Sequence, residues 1–295
     1  MSPTRAGFVA LAGRPNVGKS TLVNAIVGIK VAIVSDKPQT TRRALRGVAT
    51  GSDWQLVLVD LPGVQRPRDP LTERMQRRVE RELADSDVTL LLLDGQHPPG
   101  PGDRFIAAAL RAAQMPVLIA VNKVDRLDHA KTAQALQAAA ELDVGEEIFP
   151  ISARTGTGVP ELVEHLIGRL PESPFLYPAG EHSDLPEHVR LAELVREQVL
   201  ARTFEEVPHA VDVQVSEVDR SRPELATVAA QLWVETPSQK GILIGARGRM
   251  IKAIGTAARR ALERELGVKV HLDLSVRLRR RWRADEALLD RLGIE

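Results

Sequence analysis

The chain has 295 residues, a net charge of +1, 43% hydrophobic and only 3% aromatic side chains, and no cysteine. This length predicts two domains with aliphatic cores, because one core rarely holds so many residues. The composition excludes disulfides, thiolate metal sites and cysteine nucleophiles, and we expect neither a membrane-spanning helix nor a secretory signal.

Residues 1–170 alternate apolar strands with amphipathic helices. Five short aliphatic runs end in turn residues, and in one of the intervening helices Leu71, Met75, Val79 and Leu83 recur at every fourth position. Strands that are apolar along their whole length are typical of a mostly parallel sheet with helices on both faces. This half is therefore predicted to be an α/β domain that binds its ligand at the carboxyl ends of the strands.

The segment GRPNVGKST lies between the first predicted strand and the first predicted helix, and it matches the phosphate-loop pattern G-x-x-x-x-G-K-[ST]. Its two glycines let successive backbone N–H groups and the helix N-terminus face phosphate oxygens. Lys19 is expected to reach the β- and γ-phosphates, and Ser20 to offer its hydroxyl to Mg²⁺. The predicted nucleotide-binding residues here are Gly13, Arg14, Pro15, Asn16, Val17, Gly18, Lys19, Ser20 and Thr21.

Four further motifs follow in chain order, namely QTTR, DLPG, NKVD and SAR. In QTTR, Thr41 is expected to complete the Mg²⁺ shell as a switch residue, with Thr40 as the alternative. In DLPG, Asp60 is expected to hold Mg²⁺ through water, and Gly63 to present its N–H to the γ-phosphate. The nucleotide-binding residues predicted from the last three motifs are Asp60, Leu61, Pro62, Gly63, Val64, Asn122, Lys123, Val124, Asp125, Ser152 and Ala153.

The NKVD motif predicts that the base is guanine. Asp125 can accept hydrogen bonds from the N1–H and the N2 amino group of guanine, whereas adenine has no such donor pair and would leave the carboxylate unpaired. Asn122 and Lys123 are expected to brace the base and its loop, and the N–H of Ala153 to reach guanine O6. The first domain is thus predicted to bind GTP and GDP.

The order of these motifs resembles the translation-factor-like GTPases over residues 5–170. Ras-like members place a glutamine directly after the glycine of the third motif to orient water, and this chain has Val64 there, followed by Gln65. We therefore expect intrinsic hydrolysis to be slow, as in a switch. GTPases with an apolar residue at this position often use K⁺, so the resemblance implies K⁺ held partly by Asn16.

The second half of the chain predicts a smaller α+β domain. Residues 171–186, rich in proline, predict a linker, and residues 187–295 contain a helix, two alternating strands, a GARG loop between helices and a last strand. Between Lys240 and Arg283, thirteen Lys and Arg residues stand against three carboxylates. This local excess of positive charge predicts a polyanionic partner.

The GARG loop resembles the G-x-x-G loop of a type II KH domain. That loop grips the backbone of about four single-stranded nucleotides, while the bases lie over an apolar groove. We expect Trp282, in the basic segment after the last strand, to pack rather than to stack on a base. The predicted RNA-binding residues are Gly245, Ala246, Arg247, Gly248, Arg249, Lys252, Arg279, Arg280 and Arg281.

Taken in order, GRPNVGKSTL, QTTRR, DLPG, NKVD and KGILIGARGRMIKAIG resemble the bacterial Era family of GTPases over the full chain. The resemblance implies a GTP-hydrolysing switch that binds the 3′ end region of 16S rRNA and assists maturation of the small (30S) ribosomal subunit. It also implies a cytoplasmic monomer, partly associated with the inner face of the cell membrane. The chain departs from the family at Leu61 (usually Thr), at Gln65 (usually His) and in a loop with fewer lysines and glycines.

Two alternatives remain open from the sequence. The basic domain could recruit a different RNA or an acidic protein, in which case the chain would be a scaffold. A GTP-dependent enzyme of RNA modification is the second, although the sequence contains no further catalytic constellation. Binding to a defined RNA separates the first alternative, and product analysis of the bound RNA separates the second.

Overall fold

The computed structural model describes residues 4–37, 40–63, 69–145 and 147–294. The described residues form two compact units. The first unit comprises residues 4–34, 40–63, 75–145 and 147–184. The second comprises residues 35–37, 69–74 and 185–294. The division after Asp184 groups most of the proline-rich segment 171–186 with the first unit.

The first unit is built on a six-stranded sheet in the order β2-β3-β1-β4-β5-β6. Its strands are β1 (Arg5–Ala12), β2 (Leu45–Thr50), β3 (Trp54–Asp60), β4 (Val88–Asp94), β5 (Val117–Asn122) and β6 (Glu147–Pro150). Only β2 runs antiparallel to its neighbour. The predicted mostly parallel sheet is confirmed, and its central strands are buried because their side chains are aliphatic on both faces.

Five helices follow these strands along the chain. They are α1 (Lys19–Val27), α2 (Pro70–Ala84), α3 (Pro101–Ala112), α4 (His129–Ala140) and α5 (Val159–Arg169). In α2 the predicted apolar face is buried at Leu71, Met75 and Val79. Strand β1 lies between β3 and β4, so the chain reverses its direction of winding beside the end of β1. Doubly wound sheets bind ligands at this switch point.

The proline-rich segment is held along the free edge of the sheet. The side chain of Gln55, on β3, is fully buried and accepts hydrogen bonds from the N–H groups of Leu176 (2.7 Å) and Tyr177 (2.9 Å). At edge strand β2, the N–H of Val48 donates to the carbonyl of His182 at 2.9 Å. The segment therefore covers backbone groups that an edge strand would otherwise expose.

The second unit combines a three-stranded sheet with helices. Its elements are α6 (Glu187–Leu200), α7 (Val207–Ala210), β7 (Asp212–Arg222), β8 (Leu225–Val234), α8 (Pro237–Ile244), α9 (Arg249–Leu266), β9 (Lys269–Leu278) and α10 (Glu286–Arg291). Strand β8 is central, antiparallel to β7 and parallel to β9. Asp212 is buried like its neighbours, so burial does not alternate at that position, but the valines of the predicted alternation, Val211, Val213 and Val215, are all buried. They pack with aliphatic residues of α6 and α9 in one core.

Trp282 lies in a short 3₁₀ turn after β9. Its side chain is fully buried, and its Nε1–H donates to the carbonyl oxygen of Ala210 at 2.8 Å. The expectation that this tryptophan packs is therefore confirmed. A buried indole needs such an acceptor, because its N–H cannot reach water.

Replacing Trp282 with Phe should lower the free energy of unfolding of the second unit by about 1–3 kcal/mol, through the lost hydrogen bond and the smaller ring. Urea unfolding followed by far-UV circular dichroism measures this. The matched control is Trp233→Phe, because Trp233 is only half-buried and its Nε1–H donates to Gln214 at 3.3 Å. An equal loss in both variants would contradict the role assigned to burial.

Candidate nucleotide site and nucleic-acid interface

The phosphate loop connects β1 to α1 and fits closely against the end of β5. At Gly18 the backbone has φ 105°, and a Cβ there would lie 2.2 Å from Nδ2 of Asn122. Only glycine has room for this contact and adopts this conformation at little cost. The glycine of the motif thus lets the loop approach the neighbouring strand as well as a phosphate.

Lys19 is folded back onto its own loop. Its Nζ donates to the carbonyl oxygens of Gly13 and Arg14, both at 3.0 Å, and the residue is 6% exposed. Burial lowers the pKa of Lys19 to about 8, although the charge of Asp60 opposes this shift. A phosphate beside the ammonium would favour its charged form, so anion binding and protonation of Lys19 are linked.

The three predicted Mg²⁺ ligands are brought together. The hydroxyl of Ser20 donates to Oδ2 of Asp60 at 2.6 Å and lies 3.1 Å from the hydroxyl of Thr41. Burial raises the pKa of Asp60, and its Oδ1 is a buried oxygen without a hydrogen-bond partner among the described residues. Hard oxygen donors around an unsatisfied carboxylate fit Mg²⁺. The alternative ligand, Thr40, is buried.

The DLPG segment lies against the phosphate loop. Leu61 is buried, and a Cβ on Gly63 would lie 2.7 Å from the ring of Pro15. Gly63 therefore keeps its backbone within reach of the loop, as a γ-phosphate contact requires. The next two residues, Val64 and Gln65, lie outside the described residues, and their roles in positioning water stay predictions.

Asn122 links three loops of the site. Its Nδ2 donates to the carbonyl of Val17 at 2.8 Å, and its Oδ1 accepts the N–H of Lys123 at 2.8 Å and that of Ala153 at 2.9 Å. These three hydrogen bonds are the contacts that the predicted bracing role of Asn122 requires. The contact of Ala153 with guanine O6 stays a prediction, because its N–H already has an acceptor.

Asp125 lies beside the loop after β6. Its Oδ1 accepts the hydroxyl of Ser152 at 2.7 Å, and its Oδ2 accepts Nη2 of Arg154 at 2.5 Å. The hydrogen bond from Ser152 and the charge of Arg154 hold the pKa of Asp125 below its ordinary value. The carboxylate is therefore ionised at neutral pH, as an acceptor for guanine must be.

Two carboxylates that the sequence did not single out support the motif residues. Asp94, paired with Asn122 in the sheet register, accepts Nζ of Lys123 at 2.6 Å. Asp103 accepts Nη1 of Arg14 at 3.2 Å and the N–H of Gly100 at the start of α3. No motif marks these aspartates, although Asp94 follows the same pattern of a carboxylate at a strand end.

The other predicted nucleotide-binding residues of the first unit lie in the phosphate loop, in the first turn of α1, or just after β3 and β5. Asn16 is exposed and has φ 65°. Val17 is buried, and Thr21 lies in the first turn of α1. Val124 begins a short 3₁₀ turn after β5, and Pro62 is buried beside Leu61. The nucleotide-contact roles of these residues stay predictions.

The GARG loop separates α8 from α9, and its two glycines have backbone conformations that favour glycine. Gly245 and Gly248 have φ values of 69° and 76°, and Arg247 between them has φ 54°. Ala246, Arg247, Arg249 and Lys252 are all exposed. A Cβ on Gly245 would lie 2.7 Å from the Cβ of Met250, whereas one on Gly248 would meet open space. The first glycine is thus required by packing and the second only by its backbone conformation.

Exposed apolar side chains lie on α8, which precedes this loop, and on β9. Ile242, Ile244 and Leu278 are 41%, 36% and 41% exposed, and α8 and α9 both contact β9. Exposed aliphatic side chains next to a cationic glycine loop are what a KH domain needs to hold bases and phosphates together.

The basic segment after β9 is only partly available to a partner. Arg279 forms an ion pair with Asp285, and Nε of Arg283 lies 3.3 Å from Glu235. Arg280 and Arg281 are exposed. A guanidinium that already faces a carboxylate contributes less to phosphate binding, so these two exposed arginines are better candidates than Arg279.

The fold and the site define a P-loop GTPase followed by a type II KH domain. Residues 8–123 match the family model described as 50S ribosome-binding GTPase, and residues 206–283 match the KH domain model.

Curated relatives match over the whole chain. GTPase Era of Mycobacterium avium is 46% identical, covering 99% of this chain and all of the relative. GTPase Era of Mycobacterium tuberculosis is 44% identical with the same coverage. Era in complex with MgGDPNP and nucleotides 1506–1542 of 16S ribosomal RNA superposes with a TM-score of 0.94 at 34% identity, covering 99% of both chains. A variant of Era from Aquifex aeolicus bound to GDP.AlF4⁻ gives 0.93 at 34% identity, again covering 99% of both chains. The chain belongs to the Era family of GTPases and hydrolyses GTP.

GDP binding at pH 8 should take up about half a proton, because the phosphates raise the pKa of Lys19 from about 8. Calorimetry in two buffers of different ionisation enthalpy measures the uptake, with EDTA present so that metal does not titrate Asp60. The uptake should shrink at pH 7, where the ammonium is already protonated. Proton release at pH 8 would contradict the prediction.

Proposed function

We propose that this GTPase is a switch that binds the 3′ end region of 16S rRNA and assists maturation of the 30S subunit. The observation that carries the proposal is the full-length similarity to the Era that was crystallised with nucleotides 1506–1542 of 16S rRNA. The exposed GARG loop beside apolar side chains supports it, because this chain retains the surface that an RNA strand requires.

GTP and Mg²⁺ are the proposed ligands of the first unit. Ser20, Thr41 and Asp60 would hold Mg²⁺, which would neutralise charge on the β- and γ-phosphates. Lys19 would exchange its two loop carbonyls for phosphate oxygens and supply a compact positive charge. Asp125 would read guanine, with Ser152 orienting the carboxylate through Oδ1.

The hydrolysis rate and the use of K⁺ are also part of the proposal. No glutamine follows Gly63 directly, so we expect slow intrinsic turnover. Asn16, at the exposed turn of the phosphate loop, would contribute one oxygen to K⁺.

GTP hydrolysis should be several-fold faster in KCl than in NaCl at equal ionic strength, because Na⁺ is too small for the same oxygen ligands. Phosphate release measured with wild type and Asn16→Ala tests this, and the variant should lose the preference for KCl. Equal rates in both salts for the wild type would remove K⁺ from the proposal.

The choice of ribosomal subunit depends on the second unit. The family model matched by residues 8–123 is described as binding the 50S subunit, but it does not cover the KH domain. RNA recognition is expected to reside in residues 206–283, and the full-length structural relative was crystallised with 16S rRNA. We therefore favour the small subunit.

A monomer that works in the cytoplasm is the form in which we expect the protein to meet this partner. Among the described residues, no helix is both long and apolar enough to cross a membrane. Peripheral association with the inner membrane surface, implied by the family resemblance, stays a prediction.

Gly248→Asp should weaken binding to the 3′-terminal 16S rRNA by tenfold or more at low salt, because a carboxylate would face the RNA backbone. Nucleotide affinity should be unchanged. Binding is measured with labelled RNA and a scrambled RNA, each with GDP and a non-hydrolysable GTP analogue.

The matched control is Gly248→Asn, which has the same shape and the same tolerance of positive φ but no charge. It should retain most of the affinity. Equal, strongly salt-dependent binding of wild type to both RNAs would exclude the ribosomal assignment and favour a less specific RNA scaffold. An RNA altered chemically after incubation with GTP would favour a modifying enzyme.

A further inference from the structure

Arg154 forms an ion pair with the carboxylate oxygen of Asp125 that guanine is expected to contact. Its Nη2 lies 2.5 Å from Oδ2 of Asp125, while the hydroxyl of Ser152 occupies Oδ1 at 2.7 Å. Ser152 is fully buried and also accepts the N–H of Thr155 at 3.2 Å, so its contact is fixed by the fold. The oxygen Oδ2 is instead bonded to a long, flexible side chain.

Arginine and guanine present similar chemistry to this oxygen. The N1–C2–N2 fragment of guanine is a planar guanidine unit whose N–H groups point in parallel, as do those of an arginine guanidinium. Both match the spacing of carboxylate oxygens. A single Oδ2 position cannot accept both donors along the same direction.

We propose that Arg154 competes with the guanine base for Asp125, and thereby sets how tightly and how long the protein holds GDP and GTP. The inference rests on the proposed role of Asp125 as the reader of the base. It adds a residue outside the guanine-reading set, whose effect on affinity is opposite to that of a base contact.

The geometry lets Arg154 leave without a change in the fold. Its side chain is 66% exposed, whereas that of Asp125 is 11% exposed. The loop that carries it is closed by backbone hydrogen bonds, from Ser152 N–H to Thr157 and from Gly156 N–H to Ser152, both at 2.8 Å. Rotation of one side chain into solvent is therefore enough to free Oδ2.

The competition has two further properties. It affects GDP and GTP equally, because both carry the same base and Arg154 has no contact with the phosphate loop among the described interactions. It also weakens with salt, since an ion pair with one exposed partner is screened.

The test is the affinity and dissociation rate of fluorescent GDP and of a non-hydrolysable GTP analogue, measured with Mg²⁺ at low and high salt. Arg154→Ala should bind both nucleotides about two- to five-fold more tightly at low salt, with a smaller gain at high salt. The matched control is Arg126→Ala. Arg126 is an exposed neighbour whose side chain donates to Gln96 at 3.1 Å and has no contact with the Asp125 carboxylate among the described interactions. The affinities of this control should equal those of wild type.

Weaker binding by Arg154→Ala would overturn the proposal, because it would make Arg154 a support of the bound base. Unchanged binding would overturn it as well, because the ion pair would then contribute nothing. An equal gain in Arg126→Ala would reduce the effect to general surface charge.

A second variant separates the proposal from its premise. Asp125→Asn should lose GDP affinity and gain affinity for xanthosine diphosphate, whose base exchanges the N2 donor for an acceptor. If it does not, the base-reading role of Asp125 fails, whatever Arg154 does. In the Asp125→Asn background, Arg154→Ala should change the affinity for xanthosine diphosphate by less than twofold, because no charge remains for the arginine to hold.

Discussion

The side-chain amide of Asn122 is the contact on which the nucleotide site depends. It is buried at the end of β5 and joins the phosphate loop, its own loop and the loop after β6 through three hydrogen bonds. Gly18 must lack a side chain because this amide lies beside it. A buried amide with one N–H and both acceptor positions of its oxygen in use fixes its neighbours strongly, since any displacement leaves a polar group unpaired.

The same site contains a buried cation and a buried anion. Lys19 and Asp60 are both buried. Burial lowers the pKa of Lys19 and raises that of Asp60, so it favours the neutral form of each side chain. Each charge is held by the other and by hydroxyl or carbonyl groups, so the site is organised to receive a phosphate and a divalent cation. Low dielectric makes these charges more effective toward a ligand than exposed ones would be.

The second unit also has glycines in its candidate binding loop, but this loop carries its charges at the surface. Salt therefore screens the cations of the GARG loop. A GTP site needs buried, directional contacts with one small molecule. An RNA strand is long and hydrated, so the proposed interface would hold it by repeated surface contacts and by apolar side chains such as Ile242 and Leu278.

The motifs, the mostly parallel sheet and the packing of Trp282 follow from the amino-acid sequence alone, because glycine spacing, continuous aliphatic strands and side-chain periodicity are local properties. Which polar groups pair with one another follows only from the folded chain. The hold of Gln55 on the proline-rich segment, the ion pair of Asp94 with Lys123 and the contact of Arg154 with Asp125 join residues 29 to 122 positions apart. No local pattern specifies such pairs, since they depend on how the strands align and on which buried polar groups still need a partner.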